Sequence, residues 1–417
     1  MEIEQKILLS SFINNEGEDY MLTTQQIIDK TNELGAHNYH PKDVVIVDAH
    51  GVVVTDPEGR EYYDMLSAYS AHNFGHLHPE IVAAAKAQLD RVTLTSRAFH
   101  NAILCDFFES LCKLTGKEMA LPMNTGAEAV ETALKTARRW GAEVKGVENG
   151  KQEIIVCENN FHGRTIAIIS FSTDPDARIN YGPYCPGFKI IPYGDAEALE
   201  AAITPNTVAF MAEPIQGEAG IIVPPAGYLT KVREICTKHN ILFMADEVQT
   251  GFARTGRMFA CNFENVEPDI FIMGKALGGG IMPVSAIAAN KDILGLYTPG
   301  THGSTFGGNP LGCAVAIKAM EILVRDNYPK LAEEKGEYFM KKLREIDNDD
   351  IIEVRGKGLL IGVEFKVPAA GYVKKCIAAG VLAKETHERT IRFAPPIVVT
   401  YEQIDDAVER IKKAFAK

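Results

Sequence analysis

Residues 241–250 read ILFMADEVQT, and residues 269–280 read DIFIMGKALGGG. Each opens on a short apolar run and ends in charged residues or glycine. Runs of this kind, bounded by turn formers, fit strands buried on both faces of a parallel sheet. In an open α/β sheet, ligands collect outside the carboxyl ends of the strands. Asp246 stands at one such end and Lys275 at the other, so the two side chains are candidates for a single cleft.

The surrounding chain supports that sheet. Amphipathic segments at Glu80–Asp90 and Glu128–Trp140 alternate with apolar runs at Glu153–Val156, Ile166–Phe171, Val208–Ala212, Ile241–Ala245 and Ile270–Met273. The alternation predicts an α/β fold: a large domain over 76–308 with a mainly parallel sheet flanked by helices. A helical stretch follows Asn309 (PLGCAVAIKAMEILV). Then come LLIGVEF and TIRFAPPIVV as strands and an amphipathic helix, Glu402–Ala416. These predict a smaller α+β domain over 309–417. Upstream, residues 23–34 (TTQQIIDKTNEL) read as a helix with Thr23 or Thr24 at the N-cap and Gly35 as its stop. The next stretch, VVIVDAHGVVVTDPEGREYYDML, reads as strands broken by turns. Residues 1–75 are expected to contribute to the smaller domain, with 1–20 partly disordered.

Composition narrows the function. The 417 residues are 46% hydrophobic and 24% charged, with a net charge of −12. The acidic balance argues against a general affinity for nucleic acid or anionic membranes. The eight cysteines form no C-x-x-C pair. In a chain of this length they read as reduced thiols, not as a disulfide framework or a zinc site. The apolar runs are too short to span a bilayer. The N-terminus has neither the basic segment of a secretion signal nor the Arg-rich character of a transit peptide. A cytoplasmic enzyme with no metal is expected.

The chemistry follows from residue types. A lysine near a desolvated site has a lowered pKa and can form a Schiff base. An aspartate can keep a pyridine nitrogen protonated, which makes that ring an electron sink. Asp246 and Lys275 therefore suit pyridoxal 5'-phosphate, although alone they also fit a helix cap and a surface charge. The glycines at 278–280 mark a place where backbone approaches something closely. Asn124-Thr125-Gly126-Ala127-Glu128 opens a helix whose free N–H groups suit a phosphate, or simply a capped start. HGSTFGGN, residues 302–309, offers hydroxyls and glycines for a second side of a phosphate cup. Asn160-Phe161-His162-Gly163-Arg164-Thr165 supplies an aromatic ring and a carboxylate-gripping Arg164, or a core ring and a surface charge. Arg392, alone in a strand-like run, wants a partner or a ligand. No dinucleotide fingerprint, P-loop or G-x-S-x-G elbow is present, so a nicotinamide dehydrogenase is disfavoured. A scaffold on a retired enzyme fold would be expected to have lost Lys275 or Asp246.

Taken in order, NTGAEAVE, NFHGRT, EPIQGEAG, ADEVQTGFARTG, GKALGGG and HGSTFGGNPL resemble the class III (omega) aminotransferases of the fold-type I pyridoxal-phosphate superfamily. The likeness runs from about Gly35 to the C-terminal helix. It implies that Lys275 carries the cofactor and shuttles the proton. It implies that Asp246 pairs with the pyridine nitrogen, Gln249 contacts the ring hydroxyl and Phe161 stacks on the ring. Gly126 and Ala127 would donate N–H groups to the phosphate. Thr305 would reach the phosphate of the neighbouring subunit, which implies a homodimer with shared active sites. His162 stands where some relatives have another aromatic, so stacking is left to Phe161.

Within the family, GAHNYHP at 35–41 and Tyr69 in LSAYSAHNFGH make the chain most similar to the branch that moves the terminal amine of ornithine to 2-oxoglutarate. Such an enzyme must seat a diamine with a distant carboxylate and, in turn, a dicarboxylate. The resemblance assigns Arg164 to the carboxylate far from the reacting carbon and Arg392 to the adjacent one. Glu218 would mask Arg392 while the amine is bound. Tyr39 would hold the ornithine end and Tyr69 would line the entrance. Alone, Glu218 reads as an ordinary salt bridge and the tyrosines as packing. The alternatives are an enzyme acting on N-acetylornithine or 4-aminobutyrate, or an aminomutase.

Overall fold

The computed structural model describes residues 22–416; the segment 1–20, expected to be partly disordered, lies outside them. At the centre is a seven-stranded sheet. Its order is Met119–Met123, Ser285–Ala289, Ile270–Met273, Leu242–Asp246, Thr207–Ala212, Glu153–Cys157 and Phe188–Ile191. Ser285–Ala289 runs antiparallel to both neighbours, and the other pairings are parallel. The central strands are buried along their whole length, as continuous apolar runs require.

Helices cover both faces of this sheet. Gly126–Glu143 lays Val130, Ala133, Leu134 and Ala137 against Val208, Met244 and Ile272. On the other face Tyr228–Lys238 packs Leu229, Val232 and Cys236 against Phe210 and Phe243. The first of these helices starts on a capping box. Thr125 accepts from the Glu128 N–H, and the Glu128 side chain accepts from the Thr125 N–H.

Among the described residues, two four-stranded sheets complete the fold. The N-terminal one joins Asp48–His50, Val53–Thr55 and Glu61–Asp64, and is closed by a parallel pairing with Val381–Leu382. The other is antiparallel, in the order Ile351–Lys357, Leu360–Phe365, Thr390–Phe393, Lys384–Thr386. The helix Tyr401–Phe415 buries Ile404, Val408 and Ile411 in the same core as the strand residues Ile361, Val363 and Ile391. The early helix spans Thr24–Leu34, with Thr23 as N-cap and Gly35 as C-cap.

One expected strand is not there. Ile166–Phe171 instead contains a single helical turn, Ile166–Ile169. Periodicity alone does not separate a short buried strand from a short helix. Here Asn160 decides it locally: its amide donates to the carbonyls of both Cys157 and Phe171, folding the segment back beside the strand end.

Candidate active site

Register fixes the site. In the parallel core, Ala212 lies opposite Ala245, and Asp246 lies opposite Ile272. The next residues outward are Glu213 on one strand, Asp246 on the middle one, and Gly274-Lys275 just past the third. Their side chains therefore leave the sheet at one edge. Together with Gly126, Ala127, Phe161, His162, Gly163, Val248, Gln249 and Thr250 they line a cavity of about 200 Å³. All the residues expected at the cofactor except Thr305 lie in this lining.

Within the cavity, His162 Nδ1 lies 2.6 Å from Asp246 Oδ2, and both side chains are buried. Burial alone would depress the imidazole. The hydrogen bond and charge of Asp246 outweigh it, and the His162 pKa rises. His162 thus engages Asp246 edge-on, and the exposed face of an aromatic ring comes from Phe161. Lys275 sits in a left-handed conformation, φ 44°, just past its strand. Burial lowers its amine below the ordinary lysine range, with Glu218 opposing the drop and Arg392 adding to it. A lysine so placed is more readily neutral and nucleophilic.

Glu213 was missed by sequence reasoning. It is buried, and its carboxylate accepts from the backbone N–H groups of Phe161 and Gly217. Burial pushes it up to about 7, eased by His162 and reinforced by Asp246. The signal was available: like Asp246, it is a carboxylate directly after a run of buried apolar residues.

Beside the cavity, Glu218 Oε1 pairs with Arg392 Nη1 at 2.5 Å. Gln249 bridges the pair, donating to Glu218 at 3.2 Å and accepting from Arg392 at 3.3 Å. Burial favours the neutral acid, but Arg392 and Lys275 hold the Glu218 pKa below the ordinary value. The Tyr69 ring lies over Arg392, 4.8 Å from guanidinium carbon to ring centroid. Tyr69 also lines a second cavity, of about 420 Å³, with Tyr39 and Lys384. Arg164 is exposed, its guanidinium 5.5 Å from the Phe161 centroid. Thr305 is exposed and stands apart from the cavity of its own chain. Its loop is anchored nearby, since Ser304 accepts from the Asn124 amide.

The lining suits a flat, phosphate-bearing cofactor. Gly126 and Ala127 are the first residues of their helix, where backbone N–H groups lack intrahelical acceptors. Glycine keeps this corner open. A Cβ on Gly126 would stand 3.0 Å from Val248 Cγ1, and one on Gly163 would stand 3.0 Å from the Ala127 methyl.

The family model for class-III aminotransferases matches residues 34–415. The chain belongs to the class-III aminotransferases. An ornithine aminotransferase of Geobacillus sp. (strain WCH70) is 59% identical over 396 residues, spanning 95% of this chain and 100% of its own length. That of Brevibacillus brevis is 59% identical over 395 residues, with 95% and 99% covered. Among solved structures, an ornithine aminotransferase of Toxoplasma gondii superposes with a TM-score of 0.94 at 41% identity, covering 99% of this chain and 96% of that one. That protein carries PLP at partial occupancy in its active site. An acetylornithine aminotransferase of Elizabethkingia anophelis superposes at 0.87 with 45% identity, covering 95% and 99%. The fold of this chain is thus shared with solved structures of an ornithine and an acetylornithine aminotransferase.

Proposed function

We propose that this protein transfers the δ-amino group of L-ornithine to 2-oxoglutarate, giving glutamate 5-semialdehyde and glutamate by a ping-pong reaction. The observation that carries it is the Glu218–Arg392 pair. A cationic amine and a dicarboxylate must use one site in turn. With Glu218 on Arg392 the guanidinium is masked, and the amine end of ornithine is not repelled. When Glu218 turns away, Arg392 is free for the carboxylate next to the reacting carbon of 2-oxoglutarate. The near-full-length likeness to ornithine aminotransferases supports the same reading.

Pyridoxal 5'-phosphate is the proposed cofactor; when bound it supplies an electron sink for the carbanion formed as the substrate loses a proton. Lys275 would hold it and then move the proton with its Nζ. Asp246, hydrogen-bonded to His162, would face the ring nitrogen, and Gln249 the ring hydroxyl. Phe161 would cover the ring face, and the Gly126 and Ala127 N–H groups would receive the phosphate. Arg164, its guanidinium 5.5 Å from the Phe161 centroid, would hold the distant carboxylate. Tyr39 would hold the ornithine end, with Tyr69 at the entrance. We further propose a homodimer in which Thr305 reaches the phosphate of the partner subunit's site. Its exposure, on a loop anchored beside the phosphate end, supports this.

The likeness to an acetylornithine aminotransferase favours a second reading, in which the donor is N-acetylornithine. Steady-state rates with ornithine, N-acetylornithine and 4-aminobutyrate at fixed 2-oxoglutarate decide between them. Ornithine is expected to be preferred at least roughly ten-fold, about 1.4 kcal/mol in the transition state. A preference for the acylated or the shorter amine would overturn the assignment. Turnover without any 2-oxo acid would indicate an aminomutase.

A further inference from the structure

Lys384 has no part in the reactions described so far, yet it stands at the substrate end of the site. On the antiparallel strands Lys384–Thr386 and Thr390–Phe393 it lies directly opposite Arg392. Directly opposed residues share a face, and like charges there repel. The repulsion is managed by one ring. Lys384 Nζ lies 5.2 Å from the Tyr69 centroid and the Arg392 guanidinium 4.8 Å from it. Such contacts draw both cations to an aromatic ring. Lys384 also donates to the Tyr69 hydroxyl at 2.8 Å. A phenol that accepts in this way keeps its own hydrogen for a ligand. Tyr69 itself is held in a strained turn, with positive φ at Ser67, Ala68, Tyr69 and Ser70. Asp64 anchors that turn by accepting from the Leu66 and Ser67 N–H groups. Glu218 neutralises Arg392, whereas among the described residues no carboxylate pairs with Lys384.

We propose that Lys384 is a specificity-determining residue. It holds the Tyr69 hydroxyl as a donor toward the cavity shared with Tyr39, and its charge beside Arg392 favours the dicarboxylate acceptor over the cationic donor. This rests on the ornithine–2-oxoglutarate reading above.

The test compares the wild-type holoenzyme with Lys384→Met, Lys384→Gln and Lys384→Arg. Gln keeps a donor for Tyr69 and removes the charge; Arg keeps both. Two quantities are read: the KM for each substrate, and the inhibition constant of glutarate, a dicarboxylate that cannot react. The Met and Gln variants are expected to raise the KM for 2-oxoglutarate and weaken glutarate by roughly ten-fold, the scale of one screened charge contact. The KM for ornithine is expected to fall, and Arg to restore wild-type values. A lesion that only loosened the fold would raise both KM values together. That result in Met and Gln, or no change in either, overturns the proposal. If the wild type does not use ornithine at all, the functional reading fails separately. Binding of glutarate, followed directly, then still decides the role of Lys384: weakening in Met and Gln supports it, and unchanged affinity overturns it.

Discussion

His162 and Asp246 form a buried pair, Nδ1 to Oδ2 at 2.6 Å, at the carboxyl end of the central strand. The folded-state pKa of His162 lies above its ordinary value of 6.5. A raised imidazole contributes stability that is full below the unfolded value and is lost as pH rises through the folded value. His162→Phe is therefore expected to be less stable than wild type by about 1.5–3 kcal/mol at pH near 6, the range for a hydrogen bond to a charged group. The difference should shrink at higher pH. Urea unfolding across the pH range checks this; a gap that widens with pH would contradict it.

Glu218→Ala removes the mask from Arg392. The variant should take up 2-oxoglutarate more readily and react with ornithine at least roughly ten-fold more slowly, the scale of an uncompensated buried charge. Separate rapid-mixing measurements of the two half-reactions read this out. Equal effects on both would mean that Glu218 only props the fold.

Gly217 makes room for Gln249. A Cβ there would stand 1.9 Å from Gln249 Oε1 and 2.5 Å from its Cδ. Gly217→Ala must push Gln249 off the Glu218–Arg392 pair, at about 1 kcal/mol, the low end of overpacking, because only the end of a flexible side chain has to move. Thermal unfolding and kcat/KM should both fall, and kcat/KM for ornithine should fall more than that for 2-oxoglutarate.

Arg254, fully buried, donates to Asn73 Oδ1 and to the carbonyls of Leu359 and Pro395. Burial pushes its pKa down to about 9. Arg254→Met would strand three acceptors at once, each costing about 1–3 kcal/mol. A loss above about 3 kcal/mol in denaturant unfolding is expected, and a neutral outcome would contradict the role.

Much of this was legible in the sequence because one signal repeated. Asp246 and Lys275 each follow a buried apolar run, and a strand end is where a parallel sheet presents chemistry. Helix starts were legible where a cap was explicit, as at Thr23 and Thr125. Three strands of the central sheet were not foreseen. Met119–Met123 holds a proline, and Ser285–Ala289 reads SAIAA. Neither has the β-branched or aromatic content of a strand, and their pairing comes from neighbours in the sheet. Phe188–Ile191 contains a lysine among its apolar residues and lies at the sheet edge. Glu213 shares the EPIQGEAG run with Glu218, and the sequence alone does not say which of the two carboxylates enters the cavity. Lys384 was overlooked because its neighbour Arg392 becomes adjacent only through strand pairing.

The most direct test is the visible absorption spectrum of the purified protein loaded with pyridoxal phosphate. The expected result is a yellow band that bleaches with L-ornithine alone and returns with 2-oxoglutarate. Lys275→Ala should lack that cycle while remaining folded. A band untouched by ornithine would leave Lys275 as the cofactor lysine and contradict ornithine as the donor. No band at all would contradict the cofactor itself.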